Sequence, residues 1–305
     1  MDDLPCEDAT KVVRTLKGTI VAVADGHGDK RCLFASIGAK LAVDAACDVL
    51  KLYLKSVTGE ASTYWNGLRR EIATDISQTF ACYVVNDYQS RRKEHITDQE
   101  VLALQEHIRG YFAVSEDSMS PEKLRNKYLN RKRFNDRLGQ ILFLYGTTVR
   151  ASVLTDSYLF HCALGDGDTI AVIHDRVEWL LPQAEAYGCE TASMCEPFET
   201  VVDSFLFSFV ECRKSDAQVA RSITDTGVCV PVVLLATDGL RNSFFSPVLF
   251  EEKIKEMCGA AYRNKAEVRV SNLKRLYEKL SMESVFQDDI STIIAVRTKK
   301  SNNMI

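Results

Sequence analysis

The chain has 305 residues, of which 46% are hydrophobic and 26% charged, which excludes a globally disordered protein and allows one large or two ordinary domains. Its formal net charge of −4 gives no overall attraction to nucleic acid or to an anionic membrane surface, so we expect neither as a partner. No apolar run approaches the length of a membrane span, and the N-terminus lacks the basic-then-apolar pattern of a signal peptide.

Ten cysteines are scattered along the chain, and none forms a Cys-x-x-Cys pair, which argues against a zinc ribbon or a thioredoxin-type site. Several lie in apolar runs, as Cys47, Cys162 and Cys229 do. We therefore predict reduced core cysteines and a cytoplasmic protein.

The first third of the chain combines short apolar runs with long helical patterns. Residues 11–16 and 19–24 predict two strands joined by the turn Lys17-Gly18, although periodicity alone does not separate the second run from a buried helix. Residues 33–54 and 63–92 carry apolar side chains near the helical period, which predicts two helices. A polar segment with two helix-start patterns follows, and we predict a helical insertion at about 95–137.

Strand patterns dominate the rest of the chain. We predict strands at 149–154, 158–164, 169–174, 205–210, 231–237 and 292–297, and helices at 248–257 and 268–280. The first three of these strands are joined by short turns and must be antiparallel neighbours, because a parallel neighbour needs a long crossover. Residues 182–197 show no period and are interpreted as an irregular loop. No repeat or linker divides the sequence, so we predict a single domain over 1–305.

The apolar run 19–24 leads directly into Asp25-Gly26-His27-Gly28. This places a carboxylate and an imidazole at the end of a buried strand, and the glycines on either side of the imidazole allow a ligand to come close to the backbone. Taken alone, such a turn is more typical of a simple strand connection than of a chemical site.

Carboxylates recur at the ends of apolar strands, at Asp25, Asp166, Asp238 and Asp288. Desolvating several carboxylates in one place is costly, and a divalent cation removes both the desolvation penalty and the mutual repulsion. Oxygen-only ligands favour Mg²⁺ or Mn²⁺ over zinc. Two ions that share one carboxylate would explain a cluster of this size and would suit phosphoryl chemistry.

Six short motifs stand in a fixed order along most of the chain. They are Cys6-Glu7-Asp8-Ala9, Asp25-Gly26-His27-Gly28, Gly146-Thr147-Thr148, Leu164-Gly165-Asp166-Gly167-Asp168, Ala236-Thr237-Asp238-Gly239-Leu240 and Gln287-Asp288-Asp289-Ile290-Ser291. Their order and separation resemble those of the metal-dependent serine/threonine protein phosphatases, the type 2C or PPM family. The resemblance implies an α+β fold in which two face-to-face antiparallel sheets are flanked by helices on both outer faces, a four-layer αββα sandwich.

The resemblance also implies metal ions and their ligands. It implies two ions, Mn²⁺ or Mg²⁺, with a third, weaker position. The implied ligands all offer oxygen: Asp25 to both ions, Asp238 and Asp288 to one, Glu7 and the carbonyl of Gly26 to the other, and Asp166 with Asp238 to the third.

The implied reaction is hydrolysis of phosphoserine and phosphothreonine in proteins by a metal-bridging hydroxide. Asp8 would orient a metal-bound water, and His27 would protonate the leaving oxygen. The substrates would be proteins phosphorylated by a serine/threonine kinase. Asp168 and Asp289 are interpreted as residues that shape turns or bond the backbone.

Two features depart from the family pattern. Many members carry a phosphate-binding arginine a few residues before the Glu-Asp pair, whereas residues 1–5 hold no basic residue. We therefore expect a clipped first strand and weakened phosphate binding. This keeps open a catalytically impaired pseudophosphatase that acts as a scaffold, and a hydrolase of another phosphoester. The second departure is the insertion, whose basic stretch 123–137 is interpreted as a solvated helix face or a docking surface for an acidic phosphoprotein.

Overall fold

The computed structural model describes residues 6–28, 32–91, 138–173, 176–182, 191–212, 232–263, 273, 275–277, 279–280 and 289–296. Its strands, in chain order, are β1 (Ala9–Arg14), β2 (Thr19–Ala24), β3 (Val149–Leu154), β4 (Tyr158–Leu164), β5 (Asp168–Ile173), β6 (Arg176–Trp179), β7 (Leu206–Glu211), β8 (Val232–Ala236) and β9 (Thr292–Val296). Its helices are α1 (Ala35–Ser56), α2 (Ala61–Gly67), α3 (Arg69–Arg91), α4 (Leu138–Leu144), α5 (Phe198–Ser204), α6 (Asp238–Asn242) and α7 (Pro247–Arg263).

The strands form two antiparallel sheets, as predicted. The first sheet has the order β1-β2-β3-β4-β7, and the second has the order β6-β5-β8-β9. Every pairing between neighbouring strands is antiparallel. The predicted pairing of β3 with β4 is confirmed, but the predicted pairing of β4 with β5 is wrong, because the turn at Gly165-Asp166-Gly167 takes the chain from the first sheet to the second. The run 19–24 is therefore the strand β2 and not a buried helix, and it pairs with β1 on one side and β3 on the other.

Alternating side chains along β2 show how the layers are stacked. Ile20 and Ala22 belong to the core that the first sheet shares with α1 and α3, whereas Val21 and Val23 belong to a second core. That second core also contains Leu235 from β8, so it lies between the two sheets. A third core joins the opposite face of the second sheet to α7. The four-layer αββα arrangement is thereby confirmed.

Polar groups also lie in the first sheet among these apolar layers. Ser152 and His161 are cross-strand neighbours on β3 and β4, and Ser152 Oγ lies 2.6 Å from His161 Nδ1. Both residues are fully buried, and Nε2 of His161 has no hydrogen-bond partner among the described residues. Burial lowers the pKa of His161 to about 3, so its imidazole is neutral in the folded protein at ordinary pH.

Several elements differ from the sequence-based prediction. The helix predicted over 63–92 is two helices, α2 and α3, which meet at Gly67-Leu68 because glycine is a poor helix former. The strand β6 and the short helices α4 and α5 were not predicted. The acidic turn after β8 is the first turn of the helix α6. Cys47 and Cys162 are buried free thiols, as predicted.

Some predictions lie outside the described residues. These are the helical insertion at about 95–137 with its basic stretch, Cys229, the first half of the helix predicted over 268–280, and Asp288. In the described ranges, no helix is both long enough and apolar enough to cross a membrane.

Candidate active site

The N-terminal segment lies against both the turn after β2 and the residues before β9. The backbone N–H of Glu7 donates to Oδ2 of Asp289 over 2.7 Å, which confirms that Asp289 bonds the backbone. A Cβ added to Gly26 would lie 2.6 Å from the carbonyl oxygen of Glu7 and 2.8 Å from that of Ala35. Only glycine allows these backbone segments to approach so closely, and this contact brings Glu7 to the Asp25-Gly26-His27-Gly28 turn.

Asp8 lies at the centre of this contact. Its side chain is buried, and Oδ2 accepts a hydrogen bond of 2.9 Å from the Thr237 hydroxyl. Burial raises the pKa of the Asp8 carboxyl to about 6, and interactions with Thr237, Asp25 and Ser291 lower it in part. Its other oxygen, Oδ1, is buried without a hydrogen-bond partner in the described parts of the chain. Asp8 therefore links the Asp25 turn to the end of β8.

The Thr147-Thr148 pair holds the backbone of Asp25 in place. The carbonyl of Asp25 accepts from the Thr148 N–H at 2.9 Å and from the Thr147 hydroxyl at 2.7 Å. The Asp25 N–H donates to the Thr148 hydroxyl at 3.2 Å. Both threonines are buried, so these bonds fix the direction in which β2 ends and therefore the position of the Asp25 carboxylate.

Asp238 is positioned by the end of β8. The preceding Thr237 N–H donates to the carbonyl of Ser291 at 3.0 Å, which ties this turn to the start of β9. Asp238 opens α6, and its Oδ2 accepts a hydrogen bond of 2.9 Å from Asn242 one turn later. Because Thr237 also contacts Asp8, the Asp238 turn adjoins the Asp8 and Asp25 carboxylates.

Asp166 lies in the tight turn between β4 and β5. Gly165 and Gly167 flank it with φ angles of +92° and +89°, which glycine adopts without strain. The Asp166 carboxylate accepts a hydrogen bond of 2.8 Å from the Thr191 hydroxyl. The guanidinium of Arg150 donates to the carbonyls of Asp166 and Gly165 at 2.6 and 3.0 Å. A buried arginine on β3 therefore stabilises the backbone of this turn.

Asp168, at the start of β5, is not a surface turn residue. Its side chain is 1% exposed, and neither carboxylate oxygen has a hydrogen-bond partner among the described residues. A neighbouring cation is Arg241, whose Nη2 lies 3.7 Å from Oδ1. Burial raises the pKa of the Asp168 carboxyl to about 6, although Arg241 and Arg150 lower it. Arg150 is the residue of the sequence that could have indicated a buried anion such as Asp168. A cation inside an apolar strand requires a buried anion or hydrogen-bond acceptor nearby.

His27 is held by contacts with two residues, Gly146 and Ser193. Its N–H donates to the carbonyl of Gly146 at 3.0 Å, and its Nε2 lies 2.7 Å from the hydroxyl of Ser193. A Cβ on Gly146 would lie 2.6 Å from the imidazole Cδ2, so the ring rests against the glycine backbone. Ser193 was not predicted as a site residue because it lies in the segment 182–197, which has no periodicity.

The acidic residues around Asp8, which are Glu7, Asp25 and Asp238, have ligand chemistry that fits a hard divalent cation. Their side chains offer oxygen alone, and Oδ1 of Asp8 is a buried acceptor with no partner in the described part of the site. Within the described ranges, however, no group of three or more His, Cys, Asp or Glu side chains is arranged to hold a metal ion. The predicted ligand set also needs Asp288, which is not among them. The metal-ligand assignments therefore stay predictions.

Comparison with known proteins identifies the family of this arrangement. A family model described as protein phosphatase 2C matches residues 1–276. No curated protein sequence matches the chain. The fold is similar to that of a bacterial serine phosphatase, with 14% sequence identity, a TM-score of 0.51, and coverage of 96% of this chain and 92% of that chain. It is also similar to the photosystem II phosphatase PBCP, with 12% identity, a TM-score of 0.51, and coverage of 96% and 92%.

Proposed function

The chain belongs to the protein phosphatase 2C family, and from this membership we propose that it hydrolyses phosphoserine and phosphothreonine in proteins in a reaction that requires Mn²⁺ or Mg²⁺. The observation that carries the proposal is the contact of Asp8 with Thr237, at 2.9 Å. It brings together the acidic motifs of the two ends of the chain, next to Asp25. Bringing carboxylates from distant parts of a sequence together around the buried Asp8 is costly, which favours a cation as their purpose.

The proposed ligands divide into two sets around Asp25. Glu7 and the carbonyl of Gly26 would hold one ion, Asp238 and Asp288 would hold the other, and Asp25 would contribute to both. When bound, such ions make water a usable nucleophile near neutral pH and neutralise the charge of the phosphoryl group. The support for this assignment is that Glu7 and Gly26 are already in backbone contact beside Asp25.

Two residues would act on protons rather than hold an ion. Asp8, whose buried Oδ1 has no hydrogen-bond partner among the described residues, would orient the attacking water as an acceptor. His27 would donate a proton to the serine or threonine oxygen as the phosphorus–oxygen bond breaks. The tight packing of the His27 ring against Gly146 supports this role, because a general acid must be held in one orientation.

A third, weaker cation position would involve Asp166 and Asp238. Both carboxylates already accept hydrogen bonds, from Thr191 at 2.8 Å and from Asn242 at 2.9 Å. An ion at this position would compete with those donors, which is a physical reason for weaker binding there.

A scaffold without catalysis is the second candidate. The observation that favours it is the absence of a basic residue in 1–5, where the family pattern places a phosphate-binding arginine. The two candidates differ in one measurement, because a scaffold would bind a phosphoprotein without releasing phosphate.

The test is phosphate release from a phosphothreonine peptide, with Mn²⁺, with Mg²⁺ and with a chelator, on the purified chain and on Asp25→Asn. We expect turnover with either metal and none in chelator or in the variant. Turnover that persists in chelator would reject the metal-dependent mechanism. A folded, metal-binding chain that releases no phosphate would favour the scaffold.

A further inference from the structure

We propose that Ser193 is the positioning residue of His27: its hydroxyl holds the imidazole in one orientation and one tautomer. The inference rests on the proposed function, because the value of a fixed ring is that His27 protonates the leaving oxygen. It concerns a residue outside the six acidic, glycine-rich and threonine motifs of the sequence.

The Ser193 hydroxyl has contacts on several sides. It lies 2.7 Å from Nε2 of His27, 3.2 Å from the carbonyl oxygen of Thr147 and 3.1 Å from Sγ of Cys195. The backbone N–H of Cys195 also points at it, over 3.4 Å. Ser193 is 3% exposed, so water does not compete for these positions.

The partners of this hydroxyl decide which way the hydrogens point. A carbonyl oxygen can only accept, so the bond between Ser193 and Thr147 uses the single hydroxyl hydrogen of Ser193. The lone pairs of the hydroxyl oxygen then remain for donors. With the Ser193 hydrogen given to Thr147, Nε2 of His27 is the donor to Ser193, and the proton that a protonated His27 transfers to the leaving oxygen comes from Nδ1.

The segment that carries Ser193 is itself attached to the Thr147 turn. The Met194 N–H donates to the carbonyl of Thr147 at 2.9 Å. The Ser193 N–H donates to the Glu196 carboxylate at 3.2 Å, and the Glu196 N–H donates to the carbonyl of Ser193 at 3.1 Å. This small closed turn presents the hydroxyl from a fixed point, since the Thr147-Thr148 pair also holds Asp25.

The Thr147 turn therefore positions both Asp25 and the Ser193 turn that contacts His27. Thr147 bonds the backbone of Asp25 through its hydroxyl and the Ser193 turn through its carbonyl. The imidazole of His27 is consequently placed in register with the Asp25 carboxylate. The leaving oxygen of a phosphoryl group bound beside Asp25 would then lie next to an imidazole that is held in one orientation.

The test compares Ser193→Ala with Ser77→Ala. Ser77 is a matched control because it is also buried and its hydroxyl makes one hydrogen bond, to the carbonyl of Ala73 in α3. Two substrates are used with Mn²⁺, a phosphothreonine peptide and p-nitrophenyl phosphate. The second readout is the nitrogen spectrum of the His27 imidazole, recorded by NMR on the protein without added metal.

We expect Ser193→Ala to lower kcat on the phosphopeptide about three- to tenfold, the size of one lost hydrogen bond, with KM within about twofold. The loss on the aryl phosphate should be smaller, because its leaving group needs little protonation. The His27 spectrum should change from one tautomer, protonated at Nε2, to a mixture. Ser77→Ala should match the wild type in all three measurements.

Equal losses on both substrates would overturn the positioning role, as would an unchanged His27 tautomer in Ser193→Ala. If the wild type releases phosphate from neither substrate, the proposed function fails. The spectrum then decides the Ser193 inference independently, and one tautomer in the wild type that becomes a mixture in Ser193→Ala would still support it.

Discussion

Arg241 places Nη2 3.7 Å from Oδ1 of Asp168, a fully buried carboxylate without a hydrogen bond in the described structure. The arrangement leaves the anion dependent on Arg241 and Arg150 for compensation. We expect Arg241→Ala to lower the free energy of unfolding by about 3 kcal/mol, because it removes one partner of a buried charge pair. Urea unfolding at pH 7.5 measures the change.

Arg70 provides the matched control for this prediction. It is an exposed arginine on α3 that pairs with Glu199 and Asp203. Arg70→Ala should change the unfolding midpoint little, because exposed ion pairs contribute weakly. Adding Asp168→Asn to Arg241→Ala should recover part of the lost stability. Equal losses of unfolding free energy in the two arginine variants would show that the pair of Arg241 with Asp168 contributes no more than an exposed ion pair.

Removal of one proposed metal-ligand charge should abolish turnover without unfolding the chain. We expect Asp25→Asn and Asp238→Asn each to reduce phosphopeptide hydrolysis at least 10²-fold, since each loses a carboxylate that would hold an ion. Far-ultraviolet circular dichroism should match the wild type. Asp203→Asn, a surface aspartate paired with Arg70, is the control and should retain activity. Full activity in either site variant would remove that residue from the proposed ligand set.

His27→Gln should distinguish proton transfer from metal binding. We expect a loss of about 10²-fold or more on a phosphothreonine peptide, the usual range for a general acid. The loss on p-nitrophenyl phosphate should be clearly smaller, and the Mn²⁺ concentration for half-maximal rate should stay the same. A shift in that concentration would instead assign His27 to metal binding.

The buried imidazole of His161 should make stability depend on pH. Burial lowers its pKa to about 3 from an ordinary 6.5, so its contribution is complete above pH 6.5 and is lost as the pH falls towards 3. Each pH unit in this window should lower the free energy of unfolding by about 1.4 kcal/mol through this residue. His161→Gln should be less stable at pH 7.5 but should lose less on transfer to pH 5. Parallel losses in variant and wild type would contradict the assignment.

Gly26 and Gly67 offer a matched pair of glycine substitutions. A Cβ on Gly26 would meet the backbone of Glu7 and Ala35 at 2.6 to 2.8 Å, whereas nothing lies within 4 Å of one on Gly67. Gly26→Ala should separate the N-terminal segment from the Asp25 turn and lower both activity and melting temperature. Gly67→Ala, at the end of α2, should leave both unchanged or raise stability slightly. A fully active Gly26→Ala would show that this close backbone contact is not needed.

The predictability of the fold varied with the strength of local signals. The run 19–24 has apolar residues on both faces, and in the structure one face packs on α1 and α3 while the other packs on the second sheet. The sequence therefore predicts that the run 19–24 is buried, but its periodicity alone does not distinguish a strand from a helix. The strand β6 was missed because its four residues alternate in exposure over too short a length to form a pattern.

The candidate site was predictable where motifs mark it and not where tertiary contacts create it. Asp25 and Asp238 follow apolar strands, so their positions could be inferred from the chain alone. Ser193 reaches His27 only because its turn docks on Thr147, a contact that leaves no trace in local sequence. The sequence predicts Asp168 as a turn residue, whereas its burial near Arg241 and Arg150, which are distant in sequence, exists only in the folded chain.

The hydrogen bond between Glu7 and Asp289 also constrains when the protein can begin to work. The two residues are 282 positions apart, so at about 5 to 20 residues per second the ribosome needs roughly a quarter of a minute to a minute between them. During that time the Glu7 N–H lacks the carboxylate of Asp289, and a chain interrupted in between would lack the β9 side of the site. Activity therefore requires synthesis to pass Asp289, and products that terminate before this residue should be inactive.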